Sequence, residues 1–330
     1  MSPVLGAVVT AVVVSAVLAL LVPWLRRRGV LDIPGSRSSH EVPTPRGGGL
    51  AVMVGVSVGY VVAGGDSAIV IGLGVAAGLI GLADDISGLS ARVRLAGQVV
   101  IVGVAVPFLL ADLTWAWYWQ VAFGAVVFLG AVGFINAFNF MDGINGISGV
   151  QLLIAGGAWC VVGVVEDLDS VTVAGAVTAA AAVAFLPWNF PRARVFLGDV
   201  GSYFSGAWLS AVAVVATVHG APVEAMAAPL LVYVADTVTT LLRRRVQGES
   251  LTSAHRDHTY QRLLLDGWDH ARVTGIAGLF MVLASVGGIA SVTDSWGLRV
   301  GGWAVIAAAV TGYLLMPRMA SNRTRDAVAR

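Results

Sequence analysis

Long apolar runs recur along the whole chain, near residues 3–24, 47–63, 68–83, 94–111, 119–138, 147–165, 171–188, 200–218, 223–242, 273–292 and 299–316. A helix needs about 20 predominantly apolar residues to cross the hydrocarbon of a bilayer. Eleven such runs, of which the short 68–83 is the least secure as a span, predict an all-α integral membrane protein: a polytopic bundle of about 11 transmembrane helices (10–11), forming a single domain over residues 1–330. Composition agrees, with 57% hydrophobic and only 12% charged residues, against roughly 25% charged in ordinary globular domains. A soluble globule of this length is excluded by the missing charged surface. The first run is too long for a cleaved signal peptide, has no basic leader and is followed by Arg26-Arg27-Arg28, so it is expected to remain as the first helix. A net charge of +1 argues against wholesale nucleic-acid binding, and the lone Cys160 can form no intrachain disulfide.

The segments between the runs sort into two sets. Lysine is absent, and 19 of the 20 arginines fall in or beside 25–46, 84–93, 139–146, 189–199, 243–272 and the tail after 316; the other set holds Arg299 alone. The positive-inside rule makes the arginine-rich side cytoplasmic, with the N-terminus outside and the C-terminus inside. Asp66, Asp112, Glu166, Asp167, Asp169, Glu224 and Asp294 lie on or beside the outer loops, and Trp115, Trp117, Tyr118 and Trp119 gather at one outer boundary as an aromatic belt does. Outer loops are short. The inner ones hold nearly all the Asn, His and motif-like Gly, so the chemistry is expected to face the cytoplasm.

Five inner clusters carry that expectation. Asp84-Asp85 ends the third run; adjacent carboxylates repel unless a cation or proton compensates, and Mg²⁺ takes one or two carboxylates while leaving positions for substrate phosphates. A solvated turn is the plain alternative. Asn136 to Gly149 packs Asn139, Asp142 and Asn145 among glycines that let backbone N–H groups approach a phosphate, although Asp-Gly and Asn-Gly are also ordinary turn dipeptides. Asn136 and Asn139 are costly so near a membrane unless they find partners. Trp188 to Ser202 sets Asn189, Phe196 and Asp199 beside Arg192 and Arg194; that pair either binds phosphate or lipid headgroups or anchors topology. The 243–272 segment offers His255, Arg256 and His258. As a zinc half-site it lacks further ligands, and a cationic clamp on a pyrophosphate suits it better; His270, standing apart, is read as a surface residue. Finally, His40, Arg46 and Gly47-Gly48-Gly49 lie in a proline-stiffened loop before the second run. Acids alone imply a metal and cations alone a phosphate; together they imply a metal–pyrophosphate substrate. Asp236 lies about two turns inside the ninth run from Arg243. An intramembrane acid is functional by default, and a pairing role in helix packing is equally open.

The ordered set SSHEVPTPRGGG (38–49), DD (84–85), NFMDGINGISG (139–149), FLGDVGS (196–202) and HRDHTYQ (255–261) resembles the polyprenyl-phosphate N-acetylhexosamine-1-phosphate transferase superfamily, of glycosyltransferase family 4 type, from about Asp32 to Gln261. That superfamily includes the phospho-MurNAc-pentapeptide translocase and the enzymes initiating O-antigen, enterobacterial common antigen and teichoic acid synthesis. The first and last motifs look most like the exopolysaccharide- and O-antigen-initiating branch, because the translocase's run of adjacent histidines is not reproduced. Asn145 departs from the pattern, standing where many relatives carry the second aspartate of DGxDG.

The resemblance implies a UDP-activated N-acetylhexosamine or related amino-sugar donor, a polyprenyl (undecaprenyl or decaprenyl) phosphate acceptor and Mg²⁺, with Mn²⁺ as a substitute. Products would be polyprenyl-diphospho-sugar and UMP, at the bacterial plasma membrane, and a homodimer is compatible with the family. Carried onto this chain, Asp199 is the expected main metal ligand, with Asp85 supporting it, and Asp84 acts on the lipid phosphate. Asn139, Asp142, Asn145, Asn189 and Phe196 are expected at the nucleotide-sugar, with His40, Arg46, His255, Arg256 and His258 at its phosphates. A phospho-MurNAc-pentapeptide transferase is the near alternative. A transporter or flippase is the distant one, disfavoured because transporters place ionisable groups near the midplane and here they crowd the inner boundary.

Overall fold

The computed structural model describes residues 2–34, 42–250, 256–293 and 295–328. Within them the apolar runs become helices: α1 (Pro3–Arg28), α2 (Gly49–Val62), α3 (Ala68–Ser87), α4 (Ala91–Leu109), α5 (Trp117–Met141), α6 (Ile147–Val165), α7 (Asp169–Asn189), α8 (Gly198–Val218), α9 (Val223–Ala227), α10 (Leu231–Val246), α11 (Thr259–Leu265), α12 (His270–Ala290) and α13 (Trp296–Val328). One 3-10 turn, Ala228–Leu230, joins α9 to α10, and β1 (Leu31–Asp32) pairs antiparallel with β2 (Thr44–Pro45), Asp32 opposite Thr44. Counting Val223–Val246 as one, ten helices are long and apolar enough to cross a membrane. The short one is α2, whose 14 residues reach about 21 Å at 1.5 Å each against a core of about 30 Å. This corrects the expectation that 68–83 is the least secure span, since α3 runs for 20 residues.

The boundaries share one pattern. Helices continue past the apolar stretch and into the polar motifs, so Asp84 and Asp85 lie on the last turns of α3, Asn139 on α5 and Asn189 at the end of α7. Hydropathy marks where the solvent changes; the backbone stops only where a residue breaks it. Gly88 does so for α3, at φ 64°, with its N–H returned to the Asp84 carbonyl at 2.8 Å.

Side chains sort as they should in lipid. Val and Leu on outward faces are bare, Leu20, Leu129 and Val164 being about 70% exposed or more, whereas Trp159, Trp208, Phe138 and Phe185 are fully buried between helices. The half-buried Asn136 amide of α5 is paired within the bundle, donating to Gln98 at 2.6 Å and to the Val132 carbonyl at 2.8 Å. Where Pro229 interrupts the ninth span, Gln151 and the Trp159 indole donate to the carbonyls of Pro229 and Met226, at 2.9 and 3.1 Å, which satisfies backbone groups that water cannot reach. Trp117 and Trp119 remain exposed at the start of α5, where an aromatic belt meets the interface.

Two close approaches set the arginine-rich end of the bundle. A Cβ on Gly81 of α3 would overlap the Asp199 carbonyl, and one on Gly49 of α2 would overlap Gly201 of α8. The three helices therefore converge on the first turn of α8 with backbone nearly touching backbone.

Candidate active site

At that convergence Asp85 accepts the backbone N–H groups of Asp199 and Val200, each at 3.0 Å. These are among the donors that a helix N-terminus leaves unsatisfied, so an acid from α3 caps α8. The Gly198 φ of 77° turns the chain into this helix, and the 45–49 segment is laced to the 196–197 segment by backbone alone. Phe196 N–H donates to the Pro45 carbonyl at 2.8 Å, Gly48 N–H to the Phe196 carbonyl at 2.9 Å, and Gly49 N–H to the Leu197 carbonyl at 2.7 Å. This explains the proximity of motifs 150 residues apart: the glycines permit the approach and the hydrogen bonds hold it.

Arg46 is thereby set between two acids. Its Nε lies 2.7 Å from Asp85 Oδ1 and its Nη2 2.6 Å from Asp199 Oδ2. Asn139, reaching from α5, donates to the other Asp199 oxygen at 2.7 Å and to Ser202 Oγ at 3.0 Å. Asp199 is thus oriented by a guanidinium from the segment before α2 and an amide from α5 while remaining 14% exposed. Behind it a cavity of about 340 Å³ opens, lined by Asp32, Arg46, Asn139, Asp142, Asn145, Asn189, Phe196, Asp199, Gln261 and His270, with Gly143, Ile144, Leu197 and Gly198. Ser148 Oγ donates to Asp142 at 2.6 Å. Burial pushes the Asp142 carboxyl up to about 7; the Ser148 bond pulls the other way, and the Asp199 charge adds to the rise.

The adjacent acids have parted company. Asp84 is buried, accepts Leu89 N–H at 2.8 Å, Arg94 Nη1 at 3.0 Å and Tyr203 OH at 3.3 Å, and is not on the cavity wall. Successive helical residues point about 100° apart, so one acid faces α8's N-terminus and the other the α3–α4 turn. Asn189 lines the cavity with an amide already engaged, accepting Gly146 N–H at 2.7 Å and donating to the Val195 carbonyl at 2.9 Å. Asn145 donates to the Pro191 carbonyl at 3.0 Å and leaves its own Oδ1 buried without a hydrogen-bond partner.

His258 is 2% exposed with Nδ1 3.3 Å from Asp236 Oδ1 and is not on the cavity wall. Arg256 lines a neighbouring hollow of about 230 Å³ that shares Gln261 and His270 with the first. Arg192 is exposed, and Arg194 stacks 4.8 Å over Trp188. His40 and His255 lie outside the described residues. Asp32, Gln261 and His270 are cavity residues that sequence reasoning did not select. His270 corrects the reading of a surface residue: it begins α12, and its Nδ1 accepts Asn145 N–H at 3.3 Å. Asp32 carries no signal of its own, entering only because the β1–β2 pairing sets it opposite Thr44.

Helices of bilayer length, with a carboxylate-, guanidinium- and amide-lined cavity at their arginine-rich ends, define a multi-pass membrane protein with a charged, polar site at one end of the bundle. Residues 67–217 match the family described as Glycosyl transferase family 4. The decaprenyl-phosphate N-acetylglucosaminephosphotransferase of Mycobacterium tuberculosis (strain H37Rv) is 32% identical over 317 residues, covering 81% of this chain and 76% of that protein. That of Mycolicibacterium smegmatis is 30% identical over 327 residues, covering 82% and 78%. A Bacillus subtilis (strain 168) protein, named "probable undecaprenyl-phosphate N-acetylglucosaminyl 1-phosphate transferase", is 26% identical, covering 80% and 79%. The chain belongs to the polyprenyl-phosphate hexosamine-1-phosphate transferase family and is a multi-pass membrane transferase.

Proposed function

We propose that this protein transfers an N-acetylhexosamine 1-phosphate, or a related amino-sugar 1-phosphate, from a UDP-sugar to polyprenyl phosphate, releasing UMP, on the cytoplasmic face of a bacterial plasma membrane. The observation that carries the proposal is the 340 Å³ cavity, which sets acids, Arg46 and amides side by side at the arginine-rich boundary. Phosphoryl transfer asks a protein chiefly to position its reactants and balance charge. The acceptor oxygen attacks the sugar-linked phosphorus, the bond to the UMP oxygen breaks, and UMP departs.

The donor set suits Mg²⁺. Among the described residues no three or more His, Cys, Asp or Glu converge as a protein-only metal cage, but Mg²⁺ commonly binds through one or two carboxylates plus substrate phosphates and water. Asp199 and Asp142 on the cavity wall would hold it, and its charge would offset that of the diphosphate. Asp85, with both oxygens accepting α8 N–H groups, holds Asp199 in place. Phe196 offers a ring face to the uracil, and the unpartnered Asn145 Oδ1 accepts a donor N–H or O–H. A phosphate monoester has a second pKa of about 6, so the lipid phosphate needs no strong base at neutral pH. Asp84 instead fixes Arg94, a cation at the membrane boundary suited to that phosphate.

The test is UMP release by purified protein with a panel of UDP-GlcNAc, UDP-GalNAc, deoxy-amino sugars and UDP-MurNAc-pentapeptide. Release is expected only with polyprenyl phosphate and Mg²⁺ both present, and Asp199→Asn is expected to lower it about 100-fold or more. Release without the acceptor, or full activity in Asp199→Asn, refutes the assignment. Turnover of the pentapeptide donor alone moves the protein to the translocase branch.

A further inference from the structure

Among the described residues, an acid with five hydrogen-bond contacts lies in the membrane-spanning part, away from the cavity. Asp236 of α10 is fully buried and gathers partners from two other places in the chain, residues 258–259 and Tyr313. Thr259 N–H lies 2.9 and 3.1 Å from its two oxygens, Tyr313 OH of α13 donates to Oδ2 at 2.9 Å, and His258 Nδ1 stands 3.3 Å from Oδ1. Thr240, one turn along α10, donates at 3.2 Å. The carboxylate therefore takes the N–H that the start of α11 leaves without a helical partner and pins it to two spanning helices.

What α11 carries makes this more than packing. Gln261 lines both hollows and accepts His258 N–H at 3.2 Å, closing the turn that leads from Arg256. Tyr260 donates to the Phe140 carbonyl at 3.0 Å, two residues before Asp142, and a Cβ on Gly143 would overlap its hydroxyl. The His258 ring is stacked on Tyr260 with centroids 5.9 Å apart. An unbroken series of contacts thus runs from Tyr313 through Asp236 to the α11 start and on to the Asp142 loop.

We propose that Asp236 and Tyr313 are positioning residues for donor binding: through the α11 N-terminus they hold Gln261 against the cavity and Arg256 against the hollow beside it. The C-terminal span α13, beyond residues 67–217 of the family match, is thereby part of the binding apparatus. This rests on the reading that the cavity takes a sugar nucleotide. Replacing the carboxylate by an amide leaves the shape but weakens a charge-assisted cluster, and a hydrogen bond to a charged group is stronger than a neutral one.

The experiment compares full-length Asp236→Asn and Tyr313→Phe with wild type in detergent micelles, by hydrogen exchange of the 256–265 stretch and by separate KM values for donor and acceptor. Exchange there is expected to quicken in both variants. The donor KM is expected to rise about tenfold in Asp236→Asn and about threefold in Tyr313→Phe, with acceptor KM within twofold of wild type. If Asp236→Asn does not fold, Tyr313→Phe carries the test. A folded variant with wild-type exchange, or faster exchange with an unchanged donor KM, overturns the proposal. So does an equal rise in both KM values, which marks general loosening. Should wild-type protein release UMP from no UDP-sugar, the functional reading fails instead, and the exchange comparison still decides whether Asp236 orders α11.

Discussion

Removing the Arg46 guanidinium is expected to weaken the metal-free protein by about 1.5–3 kcal/mol and to make its stability depend on Mg²⁺. Arg46 donates to Asp85 at 2.7 Å and to Asp199 at 2.6 Å, and a hydrogen bond to a charged group contributes roughly 1.5–3 kcal/mol. Two would give about 3–6 kcal/mol, but the Arg46 side chain is 37% exposed, so water screens both and the sum falls by about half. In Arg46→Ala the cap on α8 survives, because Asp85 still accepts from Asp199 and Val200 and Asn139 still holds Asp199. The fold is retained, with two carboxylates left facing each other. A cation that binds the folded state stabilises it by mass action, and the variant has lost the guanidinium that competes for those oxygens. Thermal unfolding in detergent, with chelator and then with millimolar Mg²⁺, reads both effects. The variant is expected to melt lower with chelator and to regain most of the gap with Mg²⁺. Equal melting with chelator would show that these ion pairs count for no more than exposed surface bridges; a gap indifferent to Mg²⁺ would show that the acids hold no cation.

Gly81→Ala is expected to lower stability by about 1–3 kcal/mol through overpacking, since its Cβ overlaps the Asp199 carbonyl; Gly72→Ala on the same helix meets nothing within 4 Å and is expected to be neutral or stabilising by about 0.5–1 kcal/mol, both read by thermal unfolding. The Asp142 carboxyl, raised to about 7, favours the protonated folded form, so its contribution is present at low pH and is lost as pH rises from about 4 to about 7. In chelator, wild-type stability is expected to fall over that interval by more than that of Asp142→Asn, and identical pH profiles would refute the assignment. Tyr260→Phe removes the bond to the Phe140 carbonyl and is expected to cost about 1 kcal/mol in thermal unfolding, with faster backbone exchange around Met141–Gly143.

Much of the molecule was legible from one property. Apolar length chose helices because, without water, backbone groups must bond within the segment, and every predicted run is helical, including 49–62, which stops short of a span. The arginine bias named the end at which the cavity lies, and eleven of the thirteen residues singled out there are described. Seven of them, Arg46, Asn139, Asp142, Asn145, Asn189, Phe196 and Asp199, share one cavity wall, because each cluster stands at the arginine-rich end of the bundle, which has few places for helix ends to meet.

Direction was not legible. Asp84 and Asp85 are neighbours in sequence, yet one reaches the α3–α4 turn and the other the α8 N-terminus, a divergence that follows from helical geometry only once α3 is known to continue through Ser87. His258 reads as a phosphate ligand and lies buried against Asp236, while His270 reads as surface and lines the cavity. Hydropathy and motif order act locally, through the solvent each segment prefers, so they report the kind of helix and which of its ends carries the polar motifs. Which side chains meet depends on close approaches between distant segments, such as Gly49 on Gly201 and Gly81 on Asp199. Those arise only when the helices pack.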